Sequence, residues 1–259
     1  MTLLSLFPSL TDLFLTLALG ASLGFLGGLF GIGGGIVAVP LFVLGFHMEQ
    51  PLAQGTALVL MVPNLLIGWW RYSQRHPVPL KAALAIGLSA TLTTWLIAHV
   101  ATSSLNPTVM RLLFSACITL LALQLLVPRR KKEEGCGTLK VGALPFVGMA
   151  GGSSMGLLGI GGGLIATPLL SGWLGLRQTV AQSLSLALVA PSSAVALATY
   201  AGAGRVDWSL GLPMAIGGLF TVSAGVALAH KLPERRMRVA FGWMLVATAL
   251  WLVLGPALR

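Results

Sequence analysis

The chain has 259 residues, of which 56% are apolar and 8% charged, with a net charge of +10. Soluble domains carry roughly 25% charged residues, so a water-facing surface is excluded and an all-α polytopic membrane protein is predicted. On a soluble chain such a basic excess would suggest nucleic acid, but here Lys and Arg sit in short loops between apolar runs and report topology, so no nucleic-acid partner is expected.

Apolar segments are read in chain order at 9–30, 35–46, 51–71, 80–100, 108–127, 140–158, 163–175, 178–200, 208–230 and 237–255. Most approach the ~20 residues that cross a bilayer as helix. Segments 35–46 and 163–175 are the exceptions, since at about 1.5 Å per residue they reach only ~18–20 Å of a ~30 Å core. Each follows a glycine cluster. No basic side chain precedes Arg71, so no secretory signal of the usual kind is expected. Cys117 and Cys136 match neither a metal pattern nor a disulfide framework, and no metal or cofactor is expected.

An offset of 128 lays Gly156-Leu-Leu-Gly-Ile-Gly-Gly-Gly-Leu-Ile-Ala-Thr-Pro168 on Gly28-Leu-Phe-Gly-Ile-Gly-Gly-Gly-Ile-Val-Ala-Val-Pro40, with nine of thirteen positions identical. The same offset pairs Gln54 with Gln182, Pro63 with Pro191 and Tyr72 with Tyr200. The chain therefore reads as a duplication: residues 1–128 form the first repeat, 129–139 a basic linker and 140–259 the second repeat, with five segments per half.

Charge sets the orientation of the halves. The loop from Arg71 to Lys81 carries three basic residues, whereas its counterpart around Arg205 and Asp207 sums to zero. The loop from Ala101 to Thr108 is uncharged, but its counterpart holds Lys231, Arg235, Arg236 and Arg238 against Glu234. Equivalent loops thus lie on opposite sides by the positive-inside rule, which predicts an inverted-topology repeat, a cytoplasmic linker and both termini outside. Inversion needs an odd number of crossings per half: five full crossings, or three plus a re-entrant hairpin of the first two segments.

Glycine costs about 1 kcal/mol per helical position relative to alanine, so Gly31-Ile-Gly-Gly-Gly35 and Gly159-Ile-Gly-Gly-Gly163 are expected to break the helix. The short helices that follow aim free N–H groups and a positive dipole end back into the break. Gly33, Gly34, Gly35, Gly161, Gly162 and Gly163 are therefore candidate ligands for a small anion near the midplane. Close helix packing is the competing use of such glycines. The spacing is not GxGxxG, which excludes a nucleotide fingerprint. Gln54 with Gln182 and Asn64 with Ser192, each pair mirrored between the halves, and Ser153 and Ser154 complete the candidate set as amide and hydroxyl donors. Interhelical hydrogen bonding is the competing use of each.

None of Asp12, Glu49, Glu133, Glu134, Asp207 or Glu234 falls in the middle of a segment, which disfavours a cation transporter or proton pump. His99 and His230 sit at segment ends, and Arg111 and Arg177 flank the two entrances. No mid-segment histidine is available as a base for Ser153 or Ser154, so an intramembrane serine protease is disfavoured.

The duplicated G-x-x-G-I-G-G-G-x-x-x-x-P pattern at Gly28–Pro40 and Gly156–Pro168 resembles the TauE/SafE sulfite exporter family, also called toluene sulfonate uptake permeases. The resemblance implies an organosulfur anion substrate (sulfite, sulfoacetate or a related sulfonate), the lipid bilayer as surroundings and a prokaryotic cytoplasmic membrane. It also implies a secondary transporter, with a small-anion channel as the alternative. Proton or ion coupling is compatible with it, and the sequence assigns no oligomeric state. The second copy carries Gln182-Ser-Leu-Ser185 where the first has Gln54-Gly-Thr56, so the halves are not expected to contribute equally.

Overall fold

The computed structural model describes residues 10–30, 34–75, 78–126, 141–176, 178–229, 242–243 and 245–248. Its helices are α1 (Leu10–Phe30), α2 (Gly35–Pro40), α3 (Gln50–Arg75), α4 (Leu80–Ser104), α5 (Pro107–Leu126), α6 (Leu144–Leu158), α7 (Gly163–Pro168), α8 (Gln178–Gly202) and α9 (Trp208–Ala229). Residues 242–243 and 245–248 are helical as well, and the rest of the segment expected at 237–255 lies outside the described residues. So do the basic linker 129–139 with Cys136, and Gly31, Gly33, Arg177, His230 and Lys231.

Five described helical stretches are long and apolar enough to cross a bilayer: Thr11–Leu29, Gln50–Trp70, Leu80–Ser104, Val180–Gly202 and Trp208–Gly225. The fold is an all-α, multi-pass membrane architecture with no strand among the described residues. Helix α4 shows how its sequence divides two environments. Leu80, Leu84, Leu88 and Leu92 recur every fourth residue and are exposed, as a lipid-facing stripe requires. Ala82, Ile86, Ala90, Thr94 and Ala98 are buried on the other side.

Small residues make the helix seams, because apolar lipid offers no hydrophobic drive and backbones must approach closely to gain contact. Gly20, Gly24 and Gly28 of α1 abut Met214, Gly218 and Val222 of α9 in that order, so the two helices run parallel. Gly148, Gly152 and Gly156 of α6 meet Ile86, Ala90 and Thr94 of α4 in the same way. These glycine triplets are related by the 128-residue offset. Threonine hydroxyls stitch both seams, Thr94 donating to the Gly152 carbonyl at 3.0 Å and Thr221 to the Ala21 carbonyl.

Helix α3 runs antiparallel to α8, with Gln54 beside Tyr200 and Gly68 beside Leu186. It runs parallel to α9, since Gly55 meets Arg205, and Leu60 and Asn64 lie by Gly218. Exchanging the halves thus exchanges α1·α9 with α6·α4 and maps α3·α8 onto itself.

The two undersized segments have one architecture. Each is a six-residue helix ending in proline, continued by a five-residue π-helical turn, Leu41–Gly45 after Pro40 and Leu169–Trp173 after Pro168. Proline lacks an N–H and its ring crowds the carbonyl four residues back, so widening the next turn relieves both constraints. The sequence reading foresaw the short helices but not the π-turns.

Candidate functional site

The two breaks meet. An added Cβ on Gly35, the first residue of α2, would stand 3.2 Å from the Gly159 carbonyl oxygen and would overlap the Met61 sulfur. Gly34 has φ 89° and packs against the α1 backbone, a Cβ there lying 2.9 Å from the Leu23 carbonyl oxygen. The Gly34 carbonyl accepts the Val37 and Ala38 N–H groups at 3.2 and 3.0 Å. In the second half α6 ends at Leu158, and Gly159, with φ 62°, returns its N–H to the Met155 carbonyl at 3.0 Å. Gly161 follows with φ 92°.

Gln54 of α3 closes the space between the breaks. It has no exposed surface, and a Cβ on Gly159 would lie 3.3 Å from its own Cβ. The Tyr200 hydroxyl of α8 donates toward Gln54 Oε1 at 3.0 Å and toward the Gly156 carbonyl at 3.1 Å. The latter carbonyl lies in the last turn of α6, where helix carbonyls lose their intrahelical partners. Gln54 Nε2 is buried and has no hydrogen-bond partner. Leaving such a donor unmet costs about 1–3 kcal/mol.

The neighbours of Gln54 have a docking task. Gly55 leaves room for the Arg205 carbonyl, which a side chain would displace. The Thr56 hydroxyl accepts the Asp207 N–H at 3.0 Å, and the Asp207 carboxylate in turn caps α9 through the Ser209 and Leu210 N–H groups. Arg205 and Glu49 pair at 3.1 Å on the outer side of this joint. Gln54-Gly-Thr56 thus seats the loop between α8 and α9. This accounts for the divergence of the second copy at Ser183 and Leu184.

Other residues from the sequence reading fall into separate places. Gly35 and Gln54 come together with Gly159. Gly162 lies against the Gly151 backbone, and Gly163 faces the Ser185 hydroxyl, a Cβ there standing 2.8 Å from it. Gln182 is half-buried and partnered. Asn64 is buried with Nδ2 and Oδ1 unpartnered, near Gly218, but ten residues from Gln54 it stands about 15 Å further along α3. Ser192, Ser153 and Ser154 donate to carbonyls of their own helices, at Leu188, Met149 and Gly151, all within 2.7–2.8 Å. Gly33 is outside the described residues. The sequence reading missed Tyr200 as a site residue, although the repeat had already paired it with Tyr72. It also missed Gln50, the buried first residue of α3, whose amide atoms have no partner. His99 is exposed and stacks on Trp95 with ring centroids 6.1 Å apart, away from the site.

Comparison with known proteins agrees with this architecture. The chain is similar to a probable membrane transporter protein of Methanocaldococcus jannaschii, with 24% identity over 93% of this chain and 95% of the relative. It is similar to a protein of the same description from Haemophilus influenzae, with 26% identity over 93% of this chain and 97% of the relative. A third relative, from Xylella fastidiosa, is 24% identical over 95% of this chain and 96% of its own length. The family model for the sulfite exporter TauE/SafE matches residues 16–252, and the chain belongs to that family.

Proposed function

We propose that the protein is a secondary transporter that moves small sulfur-containing anions, such as sulfite, sulfoacetate or a related organosulfonate, across the prokaryotic cytoplasmic membrane. The observation that carries this reading is Gln54, buried against Gly159 with its Nε2 unpartnered, where backbone breaks contributed by different halves come together. Amide N–H groups donate to oxyanions without requiring a buried cation. Every charged side chain described in the structure, from Asp12 to Asp207, lies toward a helix end or in a loop, so the centre offers neutral donors to an anion. The family and the relatives' description support a transporter rather than an enzyme.

The mechanism in this reading is alternating access, with residues 1–128 and 140–259 as inverted halves rocking about the meeting breaks. The packing directions support it: α1, α3 and α9 point one way, and α8, the counterpart of α3, points the other. The positive-inside rule then puts the loops after α4 and before α9 outside. Single cysteines at Ser103 and Ser209, in a background lacking Cys117 and Cys136, should both react with a membrane-impermeant maleimide added to intact cells. Labelling of only one of them would end the inverted assignment.

Function is tested by flux of labelled sulfite, sulfoacetate and taurine into proteoliposomes, with and without a pH gradient. Saturable uptake competed by one sulfur oxyanion is the expected result. Conductance far above carrier turnover would assign a channel instead, and no flux of any of these anions through folded, inserted protein would remove the substrate class.

A further inference from the structure

We infer that the anion's path through the protein follows one face of α3, where Gln50 and Asn64 add contacts on either side of Gln54. The inference rests on the anion-transport reading above and extends it from a single site to a route.

Among the described residues, five buried side-chain nitrogens and oxygens lack a hydrogen-bond partner, and all belong to Gln50, Gln54 and Asn64. These residues are 2%, 0% and 3% exposed, and all three lie on α3. Buried polar atoms are nearly always paired, so their gathering on one helix calls for a common cause. At about 100° of turn per residue, the three side chains leave α3 within an arc of about 80°. A rise of about 1.5 Å per residue spaces them about 6 and 15 Å apart, roughly 21 Å of a ~30 Å core. In Gln50 and Asn64 both amide atoms are unmet, so each presents donors and an acceptor whichever way it is turned.

The same face touches both breaks. Gln54 packs against Gly159, and Met61, within the same arc, sets its sulfur beside Gly35. Beyond Met61, Asn64 stands where α1 and α9 present bare backbone. A Cβ on Gly218 would lie 3.5 Å from Asn64 Nδ2 and 3.3 Å from the Gly20 carbonyl oxygen. Met61 is fully buried, and its flexible thioether closes the face between Gln54 and Asn64 until it swings aside. The counterparts on α8 form no such face, since Gln182 is partnered and Ser192 donates to the Leu188 carbonyl at 2.7 Å.

The test uses the full-length protein in proteoliposomes, in a background lacking Cys117 and Cys136. Gln50→Cys, Gln54→Cys, Met61→Cys and Asn64→Cys are each offered sulfonatoethyl methanethiosulfonate, itself a small sulfonate. The controls are Val59→Cys, buried against Gly211 of α9, and Leu66→Cys, on an exposed position, both on the opposite side of α3. Cysteines on the face should react, sulfoacetate should slow that reaction, and the controls should stay unmodified. Leucine copies the branched shape of asparagine and methionine the length of glutamine, so Asn64→Leu and Gln50→Met remove little besides the amides. Each should lower sulfoacetate flux at least about tenfold, the worth of one hydrogen bond to a charged group. Melting temperature should hold or rise, because no protein hydrogen bond is lost. Amides that serve packing would instead lower melting temperature together with flux. That result, unchanged flux in both variants, or controls that react as fast as the face, overturns the route. The expected labelling pattern in a protein whose wild type carries neither sulfite nor sulfoacetate overturns the transport reading instead.

Discussion

Replacing Gly24 with leucine is expected to unseat α1 from α9 and to remove much of the protein's stability. A side chain at Gly24 would overlap the backbone of Gly218, and its neighbours Gly20 and Gly28 stand against the backbones of Met214 and Val222. No rotamer change relieves a clash with main chain, so the helices have to separate along the whole triplet. Separation forfeits the close van der Waals contact that holds membrane helices together, and leaves Thr221 short of the Ala21 carbonyl. Overpacking of this kind costs about 3 kcal/mol or more, which for a chain of this size lowers the melting temperature by roughly 6–12 °C. Gly152→Leu should behave alike, because its added side chain meets the Ala90 backbone at the equivalent place between α6 and α4. Leu15→Ala, on the exposed face of α1, is the control and should change stability by less than about 0.5 kcal/mol. Thermal unfolding in detergent, followed by tryptophan fluorescence, reads all three. Wild-type melting in both glycine variants would mean that the two seams do not carry the fold.

The duplication made much of this legible from sequence. Because the glycine runs recur at one offset, the undersized helices could be placed at 35 and 163, where α2 and α7 begin. The long helices follow from apolar length, although polar ends such as Thr102-Ser-Ser104 extend α4 beyond the segment read from hydropathy. What sequence pattern does not encode is contact between distant helices. Offset arithmetic pairs Tyr200 with Tyr72 as equivalents, but equivalence is not contact, and the partner of Tyr200 is Gln54, 146 residues away. Likewise a serine in mid-segment looks like a free donor until helix geometry returns its hydroxyl to the preceding turn, as at Ser192. Asn64 and Gln54 share a helix, yet an axial rise of about 1.5 Å per residue separates them too far to touch one small anion. The π-turns were hidden for another reason: proline predicts disruption, while the way it is absorbed depends on what packs around it.

Gly35→Ala should separate transport from stability. Its φ lies outside the left-handed region, so alanine fits the backbone, and lost freedom in the unfolded chain favours the folded form by about 0.4–1 kcal/mol. The obstacle is the Met61 sulfur, which ends a flexible thioether able to move aside. Gly34→Ala differs in both respects. There φ is 89° and the new methyl would face the Leu23 carbonyl at 2.9 Å, so that variant should lose stability. With Gly35→Ala the methyl instead stands 3.2 Å from the carbonyl oxygen of Gly159, the residue that packs against Gln54. An oxyanion that takes hydrogen bonds at about 2.7–3 Å has no room beside it. The expected result is a melting temperature at or near that of the wild type, with sulfite flux reduced at least about tenfold. The loss should be larger for sulfoacetate, because a bulkier anion meets the methyl first. Stability and flux would fall together if Gly35 served packing alone. Unchanged flux with unchanged stability would remove the anion from the meeting point and shift the search about 15 Å along α3, to the unpartnered amide of Asn64.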